Sequence, residues 1–296
     1  FLENNELKDL CISRPKQRLS WGIELPFDTD YVAYVWFDAL LNYLSALGWF
    51  EKEPNSSFWP ADYHVIAKDI LRQHAVIWPV MLKSLGIELP RCVYSHGWWM
   101  IEKDDLVEKM SKSRGNVVDP FVVVEQFGVD AFRYFLLREV PFGADGRFSW
   151  KALVTRTNSD LANDLGNLTY RTLNMLEKYY DGVIPAGDGV PIEEYRQPLE
   201  NLYVDYGRAM EQVAFTDALD RVWQLVRAAN KSIEDRKPWA MKKEGRDGEL
   251  ASFMYSLAET IRIAAAFLFP FMPGTAQSIY DQLGMPVSLA GVRLEA

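Results

Sequence analysis

Two lysines three residues apart, Lys109 and Lys112, sit among small hydroxyls in Lys109-Met-Ser-Lys-Ser-Arg-Gly-Asn116. Cations on a short loop of this kind can meet a triphosphate and offset the charge that develops as a phosphoryl bond breaks. On charge alone the same string also reads as a solvated basic turn. A second set of polar residues, Asp38, Lys68-Asp69 and His96-Gly97, follows three apolar runs that read as strands. In a parallel sheet such strand ends are where ligands bind.

The elements that must position these groups fall into two textures. Residues 1–150 alternate strands and helices, and residues 151–296 are helical in pattern. The runs 31–37, 63–67 and 91–95 read as strands. The first leads into a helix from Asp38 stopped by Gly48, and the second into a helix 69–85 stopped by Gly86, with Pro79 expected to kink it. Strand-then-helix order predicts a parallel sheet. In the second half, Leu161/Leu165/Leu168, Phe215/Leu219/Val222/Val226/Ala229/Ile233 and Phe253/Leu257/Ile261/Ala264/Leu268 repeat at helical spacing. Proline at 238 and at 270 ends the second and third of these stripes, and 182–191 is a Gly- and Pro-rich loop. The fold class expected is α/β followed by all-α, with a boundary at 150/151.

Composition narrows the function classes. The chain has 296 residues, 49% hydrophobic and 25% charged, which is globular rather than disordered. Its longest apolar stretch, 263–272, is too short to span a membrane and contains Pro270. The net charge of −9 is spread over both halves, so nucleic-acid binding would need a local patch rather than a basic face. Two cysteines, Cys11 and Cys92, give neither a disulfide framework nor a cysteine zinc site, and suit a reducing compartment. The chain opens at Phe1 with no apolar signal region.

The string at 109–113 is the signature loop of class I aminoacyl-tRNA synthetases, and its neighbours resemble the methionyl-tRNA synthetase family. Leu7-Lys-Asp-Leu-Cys-Ile-Ser-Arg-Pro15 with Trp21-Gly22 resembles the segment where that family's insertion rejoins the catalytic domain. Tyr34-Val-Trp-Phe-Asp-Ala39 resembles its methionine-pocket motif, and His64-Val-Ile-Ala-Lys-Asp-Ile70 its ribose-binding strand end. Asp130-Ala-Phe-Arg-Tyr134 and Asp145-Gly-Arg-Phe-Ser149 resemble the region after the signature loop, and Lys237-Pro-Trp239 its anticodon element. The matches run in the family's order over nearly the whole chain.

The resemblance implies an enzyme that joins methionine to tRNA-Met at the expense of ATP, with Mg2+, in the cytoplasm. The fold implied is the C-terminal half of a Rossmann-type parallel-sheet domain, then an anticodon-binding helix bundle. Lys109 and Lys112 would neutralise the phosphates, with Lys112 contacting ATP. Asp69 would hold the ribose, and the backbone of His96, Gly97, Trp98 and Trp99 the adenine. Trp36, Ala39, Leu40, Tyr43, Ile70 and His74 would line an apolar, adaptable pocket suited to a thioether. The same six also fit an ordinary core, with His74 a hydrogen-bonded core histidine. Asn163, Asn167 and Arg171 lie at i, i+4 and i+8 on a helix face, and the resemblance places Asn167 and Arg171 at a CAU anticodon, with Pro238 and Trp239. Trp239 could stack on an unpaired base or serve as a buried hinge.

The chain also departs from the family. Leu40 stands where many members have proline, and Ala67 where glycine is frequent. The hairpin 101–108 is longer than usual and lacks a glycine before the loop. No HIGH-type string is present, and the zinc-binding insertion would lie upstream of Phe1, so zinc is not expected here. The chain alone is expected to activate methionine poorly or not at all without an N-terminal portion as partner. Two further readings stand beside this one. One is a class I synthetase for leucine, isoleucine or valine, and the other a non-catalytic RNA-binding fragment.

Overall fold

Residues 31–37 do not form one buried strand. In the computed structural model, which describes the chain outside residues 1–10, 34, 50, 52–55, 104–105, 111–114, 188–191 and 293–296, the strand ends at Ala33. Three short strands, β1 (Ser13–Pro15), β2 (Glu24–Leu25) and β3 (Asp28–Ala33), form an antiparallel sheet in the order β1-β3-β2. Helix α1 (Val35–Ser45) then takes up Trp36 and Phe37. A continuous apolar run does not by itself distinguish strand from helix. Leu40 and Leu44, one turn apart, are 1% and 0% exposed and anchor α1 to the core. Within β3 only Val32 is buried, so the expectation of a buried parallel strand is corrected here.

The other two expected strands do pair in parallel. β4 (His64–Ala67) lies beside β5 (Val93–His96) in a register that runs from His64↔Val93 to Ala67↔His96. That register brings Lys68-Asp69 and His96 to the same end of the pair. Between the strands the chain makes a 3-10 turn (Lys68–Ile70), a π-helical segment (Gln73–Ile77) and helix α2 (Trp78–Ser84). Pro79 therefore falls in the first turn of α2, and the wide turn before it absorbs the missing hydrogen bond that a kink would otherwise reflect. Gly48 and Gly86 take positive φ of +68° and +67° where the helices were expected to stop. These elements belong to the first of two compact units, 1–96 and 97–296.

The second unit opens with β6 (Trp99–Lys103) and β7 (Leu106–Lys109), an antiparallel pair, and β8 (Gly146–Phe148), which runs parallel to β6. Helices α3 (Pro120–Phe127) and α4 (Val129–Arg138) come between β7 and β8. The rest is helical. α5 (Trp150–Arg156) passes through a ten-residue π-helical segment (Thr157–Gly166) into α6 (Asn167–Tyr180). The expected α spacing from 161 onward is thus corrected, because the turns up to Gly166 are wider. α7 (Glu193–Glu211), α8 (Phe215–Arg236), α9 (Pro238–Lys243), α10 (Asp247–Leu268) and α11 (Pro273–Gln282) complete the bundle. The stripes read on α8 and α10 are buried, apart from Phe215, which is half-buried at the start of α8. α10 is buried on nearly every side, so its apolar run is a bundle core. Among the described residues no helix is long and apolar enough to cross a membrane.

Charged groups tie α4 to this bundle. Tyr134 donates to Asp160 at 2.6 Å, Arg156 reaches Asp160 and Glu139, and Arg138 donates to Asp220 at 2.5 Å and to the Thr216 carbonyl. Burial alone would raise the Asp160 pKa, but hydrogen bonds from Tyr134 and Ser159 and the Arg156 charge hold it below its ordinary value. Removing one member of such a cluster leaves an uncompensated buried charge.

Close approach of Gly97 to Ala144 fixes the start of β6. A Cβ on Gly97 would clash with the Ala144 carbonyl, whereas one on Gly207, exposed within α7, would meet nothing within 4 Å. In urea unfolding, Gly97→Ala should cost about 2 kcal/mol or more. Gly207→Ala should stabilise by about 0.5–1 kcal/mol.

Candidate active site

Five rings converge in the first unit. Tyr43 from α1 hydrogen-bonds through its hydroxyl to His74 Nε2 at 2.9 Å, and His74 Nδ1 meets the Ile70 carbonyl at 2.9 Å. Trp36 approaches His74 edge-on with ring centres 6.3 Å apart. His64, on β4, stacks against Tyr43 at 4.3 Å and accepts from Trp78 Nε1 at 3.2 Å. The π-helical turn makes this possible, because it carries His74 and runs directly into Trp78.

The hydrogen bonds fix the state of one nitrogen on each imidazole. The Ile70 carbonyl can only accept, so His74 Nδ1 carries a proton. In the neutral ring Nε2 then accepts from the Tyr43 hydroxyl. The Trp78 indole can only donate, so His64 Nε2 is bare and its proton is on Nδ1. Burial lowers the His64 pKa, and the neighbouring His74 adds to the effect. Burial raises the Tyr43 pKa, so its phenol stays protonated. The site is therefore a largely aromatic surface with polar groups facing one another.

Of the six residues expected to line a pocket, Trp36, Tyr43, Ile70 and His74 are linked by these contacts. Ala39 is half-buried one turn before Tyr43 on α1. Leu40 lies instead in the core with Leu44, Trp78, Met81 and Leu82, so it supports the wall from behind. Asp69 is exposed just past β4, and His96 ends β5 at the same edge. Ala67 has φ −78° and ψ 152°, a conformation open to any residue, so no glycine is required there for backbone reasons.

In the second unit Lys109 is the last residue of β7 and is exposed. Its ammonium lies 3.6 Å over the Trp98 ring, a cation–π contact. Trp98 is fixed in turn by its backbone N–H, which donates to Asp145 at 2.8 Å. Asn116 donates to the Lys109 carbonyl at 3.3 Å and so ties together the two ends of the loop. Lys112 lies outside the described residues. Gly97 is buried and Trp99 half-buried, its ring 5.5 Å from Phe135.

On the helical face, Asn163 and Asn167 are exposed and Leu165 and Leu168 buried, as the stripe required. Arg171 is ion-paired with Glu234 of α8 at 2.7 Å. Trp239 is 46% exposed at the start of α9, which sets aside the buried-hinge reading. Pro238 is buried and sets the entry into α9 after Lys237, which adopts a left-handed φ of 49°. Residue types alone did not single out His64, Trp78, Trp98 or Glu234. Each acts through a partner distant in sequence, and only the lone histidine beginning a strand gave a signal.

Lowered pKa at His64 has a definite sign for stability. Its neutral form is favoured in the fold, so the unfolded chain binds the proton more readily. Stability from this group is complete above its ordinary value of 6.5 and is lost as pH falls below that value toward the folded pKa. An NMR titration should show His64 titrating below 6.5 with its proton on Nδ1. The midpoint denaturant concentration should fall over the same interval, and should not in His64→Phe.

Residues 1–173 match the family described as tRNA synthetases class I (M). A methionine–tRNA ligase of Caldanaerobacter subterraneus subsp. tengcongensis is 48% identical over 290 residues, 96% of this chain and 44% of that protein. The methionine–tRNA ligase of Bacillus subtilis is 45% identical over 286 residues, 94% of this chain and 42% of that protein. Among solved structures, Mycobacterium tuberculosis methionyl-tRNA synthetase in complex with methionyl-adenylate superposes with a TM-score of 0.83 at 43% identity. That match covers 98% of this chain and 58% of the other. The chain thus spans less than half the length of the curated relatives it matches. With a family match over more than half its length and relatives up to 48% identical over nearly all of it, this chain belongs to the methionyl group of class I aminoacyl-tRNA synthetases.

Proposed function

We propose that this chain supplies part of the catalytic site and the anticodon-binding bundle of a methionine–tRNA ligase. The observation that carries the reading is the chain of contacts Trp36–His74–Tyr43, a neutral aromatic wall with one ordered hydroxyl. A thioether is apolar and polarizable, and such a wall suits it without a buried charge. An isoleucine or valine pocket would have no use for the hydroxyl. The identity to methionine–tRNA ligases favours the methionine reading over the leucine, isoleucine and valine types.

The reaction has two steps. The methionine carboxylate attacks the α-phosphorus of ATP, a P–O bond breaks, and pyrophosphate leaves with the electron pair. The terminal ribose hydroxyl of tRNA then attacks the adenylate carbonyl, and AMP leaves. Neither step calls for a side-chain nucleophile, so positioning and electrostatics do the work. Asp69 accepts from the ribose hydroxyls, and the backbone at His96, Gly97 and Trp99 faces the adenine. Lys109 and Lys112 meet the departing phosphates. To do so Lys109 leaves the Trp98 ring, an exchange a full phosphate charge easily drives. Magnesium would arrive with the nucleotide. The chain's own contribution at the phosphates would be the two lysines.

The bundle would read the tRNA. Asn167 offers amide groups, Arg171 a guanidinium now paired with Glu234, and Trp239 an exposed face for an unstacked base. Base stacking of this kind contributes about 1–3 kcal/mol.

In the full-length enzyme, methionine should support ATP–pyrophosphate exchange and leucine, isoleucine and valine should not. Lys112→Ala should lower kcat by about 10²- to 10³-fold, and Lys109→Ala by less. Equal exchange with leucine would contradict the reading. The chain by itself should exchange poorly.

A further inference from the structure

We propose that His64 is a positioning residue for amino-acid selection, holding the ring of Tyr43 in place while His74 holds its hydroxyl. The inference rests on the reading of this cluster as a methionine site. Tyr43 is constrained at two points. Its hydroxyl is tied to His74 at 2.9 Å, which fixes the tip but leaves the ring able to tilt about that point. The face of the ring is covered by His64 at 4.3 Å with an interplanar angle of 39°.

His64 can act as a fixed backstop because it is itself held three ways. Its backbone N–H donates to the Cys92 carbonyl at 2.8 Å, within the parallel strand pair. Its Nε2 accepts from Trp78, a fully buried residue. Trp59 closes another side, with ring centres 6.0 Å apart. His64 is 5% exposed and begins the strand whose far end leads into Asp69. One short strand thus sets both the tyrosine wall and the ribose-binding end, and a shift of His64 reaches the amino-acid side first.

Substitutions in the full-length enzyme separate this role from plain stability. His64→Phe keeps a ring against Tyr43 but removes the acceptor for Trp78. His64→Gln places a carbonyl within reach of the Trp78 donor, and Trp78→Phe removes the same bond from the other side. In pyrophosphate exchange, His64→Phe and Trp78→Phe should raise KM for methionine about 5- to 10-fold. KM for ATP should stay within about twofold of wild type. His64→Gln should recover most of the methionine KM, and in a Tyr43→Ala background His64→Phe should add little.

Equal rises in both KM values would overturn the proposal, as would an unchanged methionine KM in a less stable protein. Full additivity with Tyr43→Ala would do the same. If His64→Phe does not fold, Trp78→Phe and His64→Gln carry the test. A wild-type enzyme that exchanges with another amino acid but not with methionine would overturn the underlying reading, and the inference with it. A normal wild type with indifferent His64 and Trp78 variants would overturn the inference alone.

Discussion

A buried imidazole keeps its place only when both ring nitrogens have suitable neighbours and the ring stays neutral. His64 and His74 lie in one aromatic cluster with ring centres 6.3 Å apart, and hydrogen bonds reach both nitrogens of His74 and Nε2 of His64. One carbonyl, one phenol and one indole assign every ring proton that the hydrogen bonds involve. The first unit is arranged around this constraint. The π-helical turn before Pro79 carries His74 and leads into Trp78, and β4 begins with His64 and leads into the turn that holds Asp69. Charging either ring would place a cation among indoles and a second imidazole, which the cluster has no carboxylate to balance among its described contacts.

The second unit solves a different problem. On the proposed function it must hold a cationic loop and a nucleic-acid face on one framework. Helix α4, which follows the loop region, is locked to the bundle by Tyr134, Arg138, Arg156 and Asp160. Tyr134 and Arg156 meet at Asp160, and Arg138 reaches Asp220 and the Thr216 carbonyl, so the junction is directional, whereas apolar packing alone would leave α4 free to slide. Beyond that junction the bundle core is continuous aliphatic and aromatic packing from α7 to α11. Asn167 and Trp239, which we propose contact RNA, are exposed, and the third proposed contact, Arg171, is ion-paired with Glu234.

Much of this was legible in the chain itself. The lysine loop is a local string, and helical stripes on α8 and α10 are local periodicities, so both could be read without knowing the fold. The run 31–37 misled because seven apolar residues fit a strand and a helix equally well, and the core contacts of Leu40 and Leu44 decided for the helix. Pro79 misled because a proline says that a hydrogen bond is missing, not how the backbone will absorb the loss. Leu40 and Pro238 are buried, which residue type alone did not tell. The partners of Tyr43, Lys109 and Arg171 lie 21, 11 and 63 residues away in sequence at His64, Trp98 and Glu234. No spacing rule connects such pairs.

The claim that unites the two units is that this chain serves methionine and the tRNA that carries it. The most direct test needs only the bundle. Affinity for a CAU anticodon stem-loop is measured against one with a changed anticodon, for wild type and Trp239→Ala. The account predicts preference for CAU and a loss of about five- to fifty-fold on removing the indole. Equal affinity for the two loops, unaltered by Trp239→Ala, would contradict it.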